Sequence, residues 1–159
     1  MAELPVLPEF PAWIGTHLNS PASQLKVGMD LVQISRIQAS LTKFGDRFTQ
    51  RIFTEHELAY AVSSPVLRAE RLAARFAAKE ATMKALGLTD KGVAWRDMEV
   101  FRMPDGRCEL RLHGVAAAHA QDCGVAQTAL TLSHDGDYAA AIVAAVVSMP
   151  LAEKATASI

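Results

Sequence analysis

Between Arg71 and Gly87 the chain reads RLAARFAAKEATMKALG, rich in Ala with Leu, Phe and Met at helical spacing and free of proline. Such a stretch has one strong solution, a helix that begins after Pro65, buries its apolar side and stops at Gly87. At about 100° per residue, Glu80 and Lys84 share a face with Ala69, Ala73, Phe76, Ala77 and Met83, while Arg68, Arg71, Arg75 and Thr82 fall on the other. Glu four residues before Lys is the favoured order for an ordinary surface ion pair. Here, however, the shared face is apolar, and charges are rarely buried without a partner or a task. With Lys79 adjoining Glu80, the pattern suits a carboxylate holding a divalent metal beside a phosphate.

The other segments set the fold class. Residues 1–24 carry Pro5, Pro8, Pro11 and Pro21 without sustained periodicity and read as an irregular extension. LKVGMDLVQI reads as a strand ending near Asp30 to Val32, and ISRIQASLTKFG as an amphipathic helix closed by Gly45. Thr54 with Glu57 three residues later forms a capping box for a further helix. Beyond Gly87 the period changes to two. DMEVFRM and RCELRLHG flank the turn PDG, and AQTALTLSH and YAAAIVAAVV flank DGD, with a short helix ending at Gly124 between the two hairpins. The class is α+β, with one domain over 25–149 and a polar tail over 150–159.

Composition narrows the function. A formal net charge of −1 with 21% charged residues leaves no global basic field that would call for nucleic acid. The longest apolar run, Tyr138 to Val147, is too short to span a bilayer as a helix, and the early acid and prolines defeat a signal peptide. Cys108 and Cys123 show no metal-ligand spacing and read as reduced thiols of a cytoplasmic protein.

Three further groups are candidates for chemistry. Asp30 stands inside a strand pattern, where acids are depleted; it is either a solvent-facing or capping acid, or a metal ligand opposite Glu80. Ser133 and His134 end a strand beside a glycine turn, which favours a site edge over a catalytic triad. Arg36, Lys43, Arg47 and Arg51 dot an apolar helix among Ile37, Leu41, Phe44 and Phe48, either as a solvated face or as a docking surface for an acidic helical partner.

VGMDLVQISRI, RLAARFAAKEATMKALG and LTLSHDGDYAAAIV, in that order and at these separations, resemble the holo-[acyl-carrier-protein] synthases, the small single-copy class of 4′-phosphopantetheinyl transferases. The resemblance runs from about Lys26 to Val147 and implies that family's fold, an antiparallel sheet packed with a long helix. It implies transfer of the 4′-phosphopantetheine arm of coenzyme A to a serine of an apo acyl carrier protein, releasing adenosine 3′,5′-bisphosphate. It further implies Asp30 and Glu80 as ligands of Mg²⁺ or Mn²⁺, and Glu80 and Lys84 as the catalytic pair. Coenzyme A contacts are implied for Arg75, Lys79, Lys84, Gly87, Ser133 and His134, and carrier docking for Arg36, Lys43 and Arg47. A homotrimer with sites between chains is implied as well. The family's usual Gly-Thr-Gly after the long helix is replaced here by GLTDKG, Gly87 to Gly92. The alternative is a non-catalytic relative that binds the carrier or coenzyme A.

Overall fold

The computed structural model describes residues 23–148, so the proline-bearing extension and the polar tail lie outside the described residues, except for Ser23 and Gln24, which open the first strand. β1 (Ser23–Gln33) leads directly into α1 (Ile34–Phe44), which is followed by α2 (Asp46–Ile52) and α3 (Glu55–Val62). The long helix α4 (Arg68–Leu86) comes next, then a short turn of 3₁₀ helix at Trp95–Asp97 and the hairpin β2 (Met98–Arg102) and β3 (Cys108–Leu112). α5 (Gly114–Asp122) connects it to the second hairpin, β4 (Val125–Asp135) and β5 (Tyr138–Ser148).

The sheets are antiparallel throughout. β1, β5 and β4 make a three-stranded sheet with β5 in the centre, and β2–β3 stand as a separate pair. The central strand must be buried on its inner face, and Ala139, Ala141, Val143 and Ala145 supply that face with nearly no exposure. α4 lies across β1 and β5. Its alanines let the helix backbone come close, and Gly28 is the point of nearest approach. A Cβ at Gly28 would fall 2.0 Å from the carbonyl oxygen of Ala81 and 2.7 Å from the amide nitrogen of Ala85.

Gly45 closes the first helix as its sequence suggests, and the four cations Arg36, Lys43, Arg47 and Arg51, expected on one helix, are shared between two. Gly45 takes φ +52°, a left-handed conformation that is cheap only for glycine, and the chain turns there between α1 and α2. Lys43 therefore ends α1, while Arg47 and Arg51 belong to α2. The turn of the second hairpin fixes the start of α1. Asp137 accepts hydrogen bonds from the Ser35 amide at 2.8 Å, the Ser35 hydroxyl at 2.6 Å and the Gln33 side chain at 2.8 Å.

The faces of α4 differ from the helical-wheel expectation. Arg75 and Thr82, placed on its solvent side, are 3% and 0% exposed, as is Lys79 at 0%. The physical reason is that α4 is covered from two directions, by the three-stranded sheet and by α3 with the β2–β3 hairpin, so almost its whole circumference is core. Glu80, Met83 and Lys84 lie on the strip left uncovered.

Candidate active site

Alternation along β1 puts Leu25, Val27, Met29 and Leu31 on the outer face and Gly28, Asp30 and Val32 on the face toward α4. That alternation explains an acid within an apolar strand: Asp30 points inward at the edge of the sheet, one residue pair from where Gly28 lets α4 close in. Lys84 reaches back to it, donating to Asp30 Oδ1 at 2.7 Å and to the Met29 carbonyl at 3.0 Å. Lys84 remains half-exposed, with 53% of its side chain open against 18% for Asp30. The hydrogen bond to Asp30 holds its ammonium above the usual lysine range.

Asp30 and Glu80 line one cavity of about 450 Å³, with Arg36, Ser40, Phe48 and Phe76 around them. Burial pushes the Glu80 carboxyl up, the neighbouring Asp30 charge pushes it further, and Lys84 opposes both. Two carboxylates that repel each other beside open volume are a candidate donor set for a cation. Among the described residues no cluster of three or more His, Cys, Asp or Glu forms a closed metal centre. What remains is a two-carboxylate oxygen donor set of the kind that leaves positions for water and phosphate oxygens.

A second cavity, of about 560 Å³, opens on the other side of α4, between α3, the β2–β3 hairpin and β4. Arg75 and His134 lie on its walls, together with Arg71, Arg102 and Arg107. Arg71, Arg75 and Arg102 gather round the Tyr60 ring, with guanidinium carbons 4.3, 4.3 and 5.0 Å from its centroid. Among the described residues no carboxylate pairs with any of these three. Burial lowers the Arg75 guanidinium from its ordinary value, although nearby acidic groups work against the drop, and its Nε has no hydrogen-bond partner. His134 Nδ1 lies 3.5 Å from Glu70 Oε2. Ser133 is on the opposite face of β4 and does not line this cavity. Arg71, Arg102, Arg107 and Tyr60 join this site without a sequence signal that assigns them to it. The i, i+4 spacing of Arg71 and Arg75 hints at two of the cations, but nothing local ties Tyr60 to them.

Lys79 is a correction to the sequence reading. Its ammonium is wholly buried, donating to Glu57 Oε2 at 2.9 Å, to the Trp95 carbonyl at 3.1 Å and to the Met98 carbonyl. Glu57, the acid of the capping box, also accepts from the amides of Thr54 at 2.9 Å and Val100 at 3.0 Å. Lys79 thus ties α4 to α3 and β2 and has no surface to offer a ligand. Gly87 is exposed and ends α4, and Leu88 after it is buried with its amide on the Met83 carbonyl at 3.0 Å.

Arg36 lies at the Asp30–Glu80 cavity itself. Beyond it, Phe44, Arg47, Phe48, Arg51, Ile52 and Trp95 line a groove of about 450 Å³ at the corner of α1 and α2, mainly apolar with arginines at its edge. Lys43 lies over the Phe44 ring beside it, 5.1 Å from the centroid.

A family model described as the 4′-phosphopantetheinyl transferase superfamily matches residues 26–143. The chain is 48% identical to the holo-[acyl-carrier-protein] synthase of Solibacter usitatus over 108 residues, covering 67% of this chain and 86% of that protein. It is 56% identical to the protein of the same name from Methylobacterium nodulans over 93 residues, 58% and 70% of the two chains. Among solved structures, the apo form of ACPS from Chronobacterium ammoniagenes superposes with TM-score 0.70 at 34% identity, over 79% of this chain and 99% of that one. The ACPS–CoA complex from the same organism gives TM-score 0.68 at 34% identity, over 80% and 99%.

Proposed function

Because the chain belongs to the 4′-phosphopantetheinyl transferase superfamily, we propose that it transfers the 4′-phosphopantetheine arm of coenzyme A to the serine hydroxyl of an apo acyl carrier protein, with Mg²⁺ or Mn²⁺ bound and adenosine 3′,5′-bisphosphate released. The observation that carries this reading is the meeting of Asp30, Glu80 and Arg36 in one cavity, with Lys84 hydrogen-bonded to Asp30 at its margin. Asp30 and Glu80 would hold the cation, which supplies charge neutralisation on the pyrophosphate. The fit rests on the donor set: hard oxygen ligands, mutual repulsion that a cation relieves, and space beside them. Lys84 offsets charge on the departing nucleotide, and Glu80 takes the proton of the attacking serine.

The arginine-lined cavity with Arg75 and His134 receives the nucleotide end of coenzyme A. α4 separates it from the carboxylates within one chain, and this favours a site completed between neighbouring chains. The exposed apolar row Leu25, Val27, Met29 and Leu31, with Ile142 beside it, supports a homotrimer that buries this sheet face. Ser133 lies on the same outer face, next to Ala140 in register, and Gly87 at the exposed end of α4; both belong to that boundary. Arg36, Lys43 and Arg47 form the cationic rim for an acidic carrier helix, with the groove at α1–α2 taking its apolar side chains. The reaction runs in the cytoplasm, in keeping with unpaired Cys108 and Cys123. Among the described residues no helix is long and apolar enough to cross a membrane.

The test is incubation of the full chain with apo acyl carrier protein, coenzyme A and Mg²⁺, followed by intact mass of the carrier. The carrier gains one phosphopantetheine arm with the natural chain and none with Glu80→Gln. Mn²⁺ binding followed by electron paramagnetic resonance is lost in Asp30→Asn, and Arg36→Glu weakens the carrier without weakening coenzyme A. A folded protein that binds carrier or coenzyme A yet modifies none of several carriers would instead be the non-catalytic relative.

A further inference from the structure

We propose that Tyr60 is a positioning residue for the nucleotide end of coenzyme A, a role that rests on the reading of the cavity of about 560 Å³ as the nucleotide's site. Tyr60 lines that cavity and holds Arg71, Arg75 and Arg102 as one preformed cationic group on its wall. Three parts of this single residue reach them. The ring lies under all three, with guanidinium carbons 4.3, 4.3 and 5.0 Å from its centroid. The phenol oxygen accepts from Arg102 Nη1 at 2.8 Å, and the main-chain carbonyl accepts from Arg71 Nη1 at 2.7 Å.

Three like charges round one ring repel, and among the described residues no carboxylate lies within ion-pairing distance of any of them. Glu70, the acid on the same wall, lies 3.5 Å from His134 Nδ1 instead, and Arg107 is taken by Asp105 at 2.6 Å. What the three share is the negative face of the Tyr60 ring. They depend on it to different degrees. Arg75 is 3% exposed, with Nη1 turned back onto the Arg71 carbonyl at 3.1 Å. Arg71 is half-buried and also donates to the Ser63 hydroxyl at 2.8 Å. Arg102 is exposed at the end of β2, and its contacts with the ring and the phenol keep it against the cavity rather than free in solvent. An arginine loose in solvent gives up rotamer freedom when it binds a phosphate, whereas one already held does not.

Tyr60 is itself fixed by the fold. It stands near the end of α3, whose start is set by the capping box of Thr54 and Glu57. Glu57, about one turn before Tyr60, pairs with Lys79 of α4 at 2.9 Å and accepts from the Val100 amide of β2 at 3.0 Å. Those are the two elements that carry the arginines, Arg71 and Arg75 on α4 and Arg102 on β2. The ring is therefore registered against all three guanidiniums before a ligand arrives, and the phosphate-binding face of the cavity is assembled in advance.

The experiment compares the natural full chain with Tyr60→Phe, Tyr60→Leu and a chain carrying pentafluorophenylalanine at position 60. Calorimetry gives the affinity for adenosine 3′,5′-bisphosphate, and intact mass of the carrier over time gives KM for coenzyme A and kcat. Phenylalanine keeps the ring and is expected to stay within about threefold of the natural affinity. The fluorinated ring packs like phenylalanine, but its face no longer attracts cations. It and Tyr60→Leu are expected to weaken the bisphosphate and raise KM by about tenfold, with kcat changed by less than about twofold. Equal affinity for the phenyl and fluorinated rings would overturn the proposal, and this comparison decides alone if Tyr60→Leu does not fold. A fall in kcat with KM unchanged would overturn it too. Arg71→Ala and Arg102→Ala test the underlying reading. If neither weakens the bisphosphate, the cavity is not the nucleotide's site and the role of Tyr60 falls with it. If they weaken it while the Tyr60 series does not, the nucleotide reading stands and the positioning role fails.

Discussion

Replacing Lys79 by methionine separates a structural lysine from a ligand-binding one. In the fold its ammonium is enclosed by Glu57, the Trp95 carbonyl and the Met98 carbonyl, with no exposure. Burial lowers this lysine from its ordinary value, and the Glu57 charge is the main influence against that shift. Methionine keeps the length of the stem, so little cavity opens. What is lost is the cation paired with a buried carboxylate, and removing one partner of a buried ion pair costs about 3–5 kcal/mol. The two backbone carbonyls lose a donor as well, but Glu57 keeps the amides of Thr54 and Val100, which soften the loss. We expect Lys79→Met to lower stability by about 4 kcal/mol, a large part of the roughly 5–15 kcal/mol typical of a domain. Urea unfolding followed by far-ultraviolet circular dichroism measures it. Glu57→Gln on the natural background should be costly too, and the double variant should fall short of the sum by about 2 kcal/mol or more. A cost below about 1 kcal/mol for Lys79→Met would refute the reasoning. So would a folded Lys79→Met protein whose coenzyme A affinity has collapsed, since that would mean the ammonium reaches the ligand.

Gly28→Ala drives a Cβ to 2.0 Å from the Ala81 carbonyl oxygen, a backbone atom that cannot swing away. It should destabilise by about 1–3 kcal/mol and, by prising β1 from α4, weaken the Mn²⁺ binding proposed for Asp30 and Glu80; thermal midpoint and metal titration read the two effects. Glu99 gives a pH dependence. Burial pushes its carboxyl up, but hydrogen bonds with Thr54 at 2.7 Å and His113 at 2.9 Å outweigh it and hold the group below its ordinary value of 4.5. Its contribution is therefore complete above 4.5 and fades as pH falls through the lowered value. Glu99→Gln should cost about 1–3 kcal/mol at neutral pH and progressively less in acid, as urea titrations across that range would show.

The segments whose structure is settled within a few residues are legible in the sequence alone. The capping box at Thr54 and Glu57 is formed, Gly45 and Gly87 end their helices, and the turns PDG and DGD close antiparallel hairpins. Each rests on contacts only a few positions apart, so the local residues suffice. Asp30 and Glu80 can be paired because each breaks its own periodicity, one in a strand and one in a helix.

The burial of α4 cannot be read in the same way. An alanine-rich helix has little contrast between its sides, and which side meets solvent depends on what is laid against it. Here a sheet covers one side and α3 with a hairpin covers another, so Lys79 and Arg75 are buried and Lys84 is left exposed. The same assembly gives Glu57 a second task, as counter-ion to a lysine 22 positions away, which no local pattern encodes. It also gathers Tyr60, Arg71, Arg75, Arg102 and Cys108 around one cavity from helices and a hairpin distant in the chain. Propensity, caps and turns act over a few residues and are written in order along the chain. Burial and charge pairing act through space, and only the packed structure decides which residues they join.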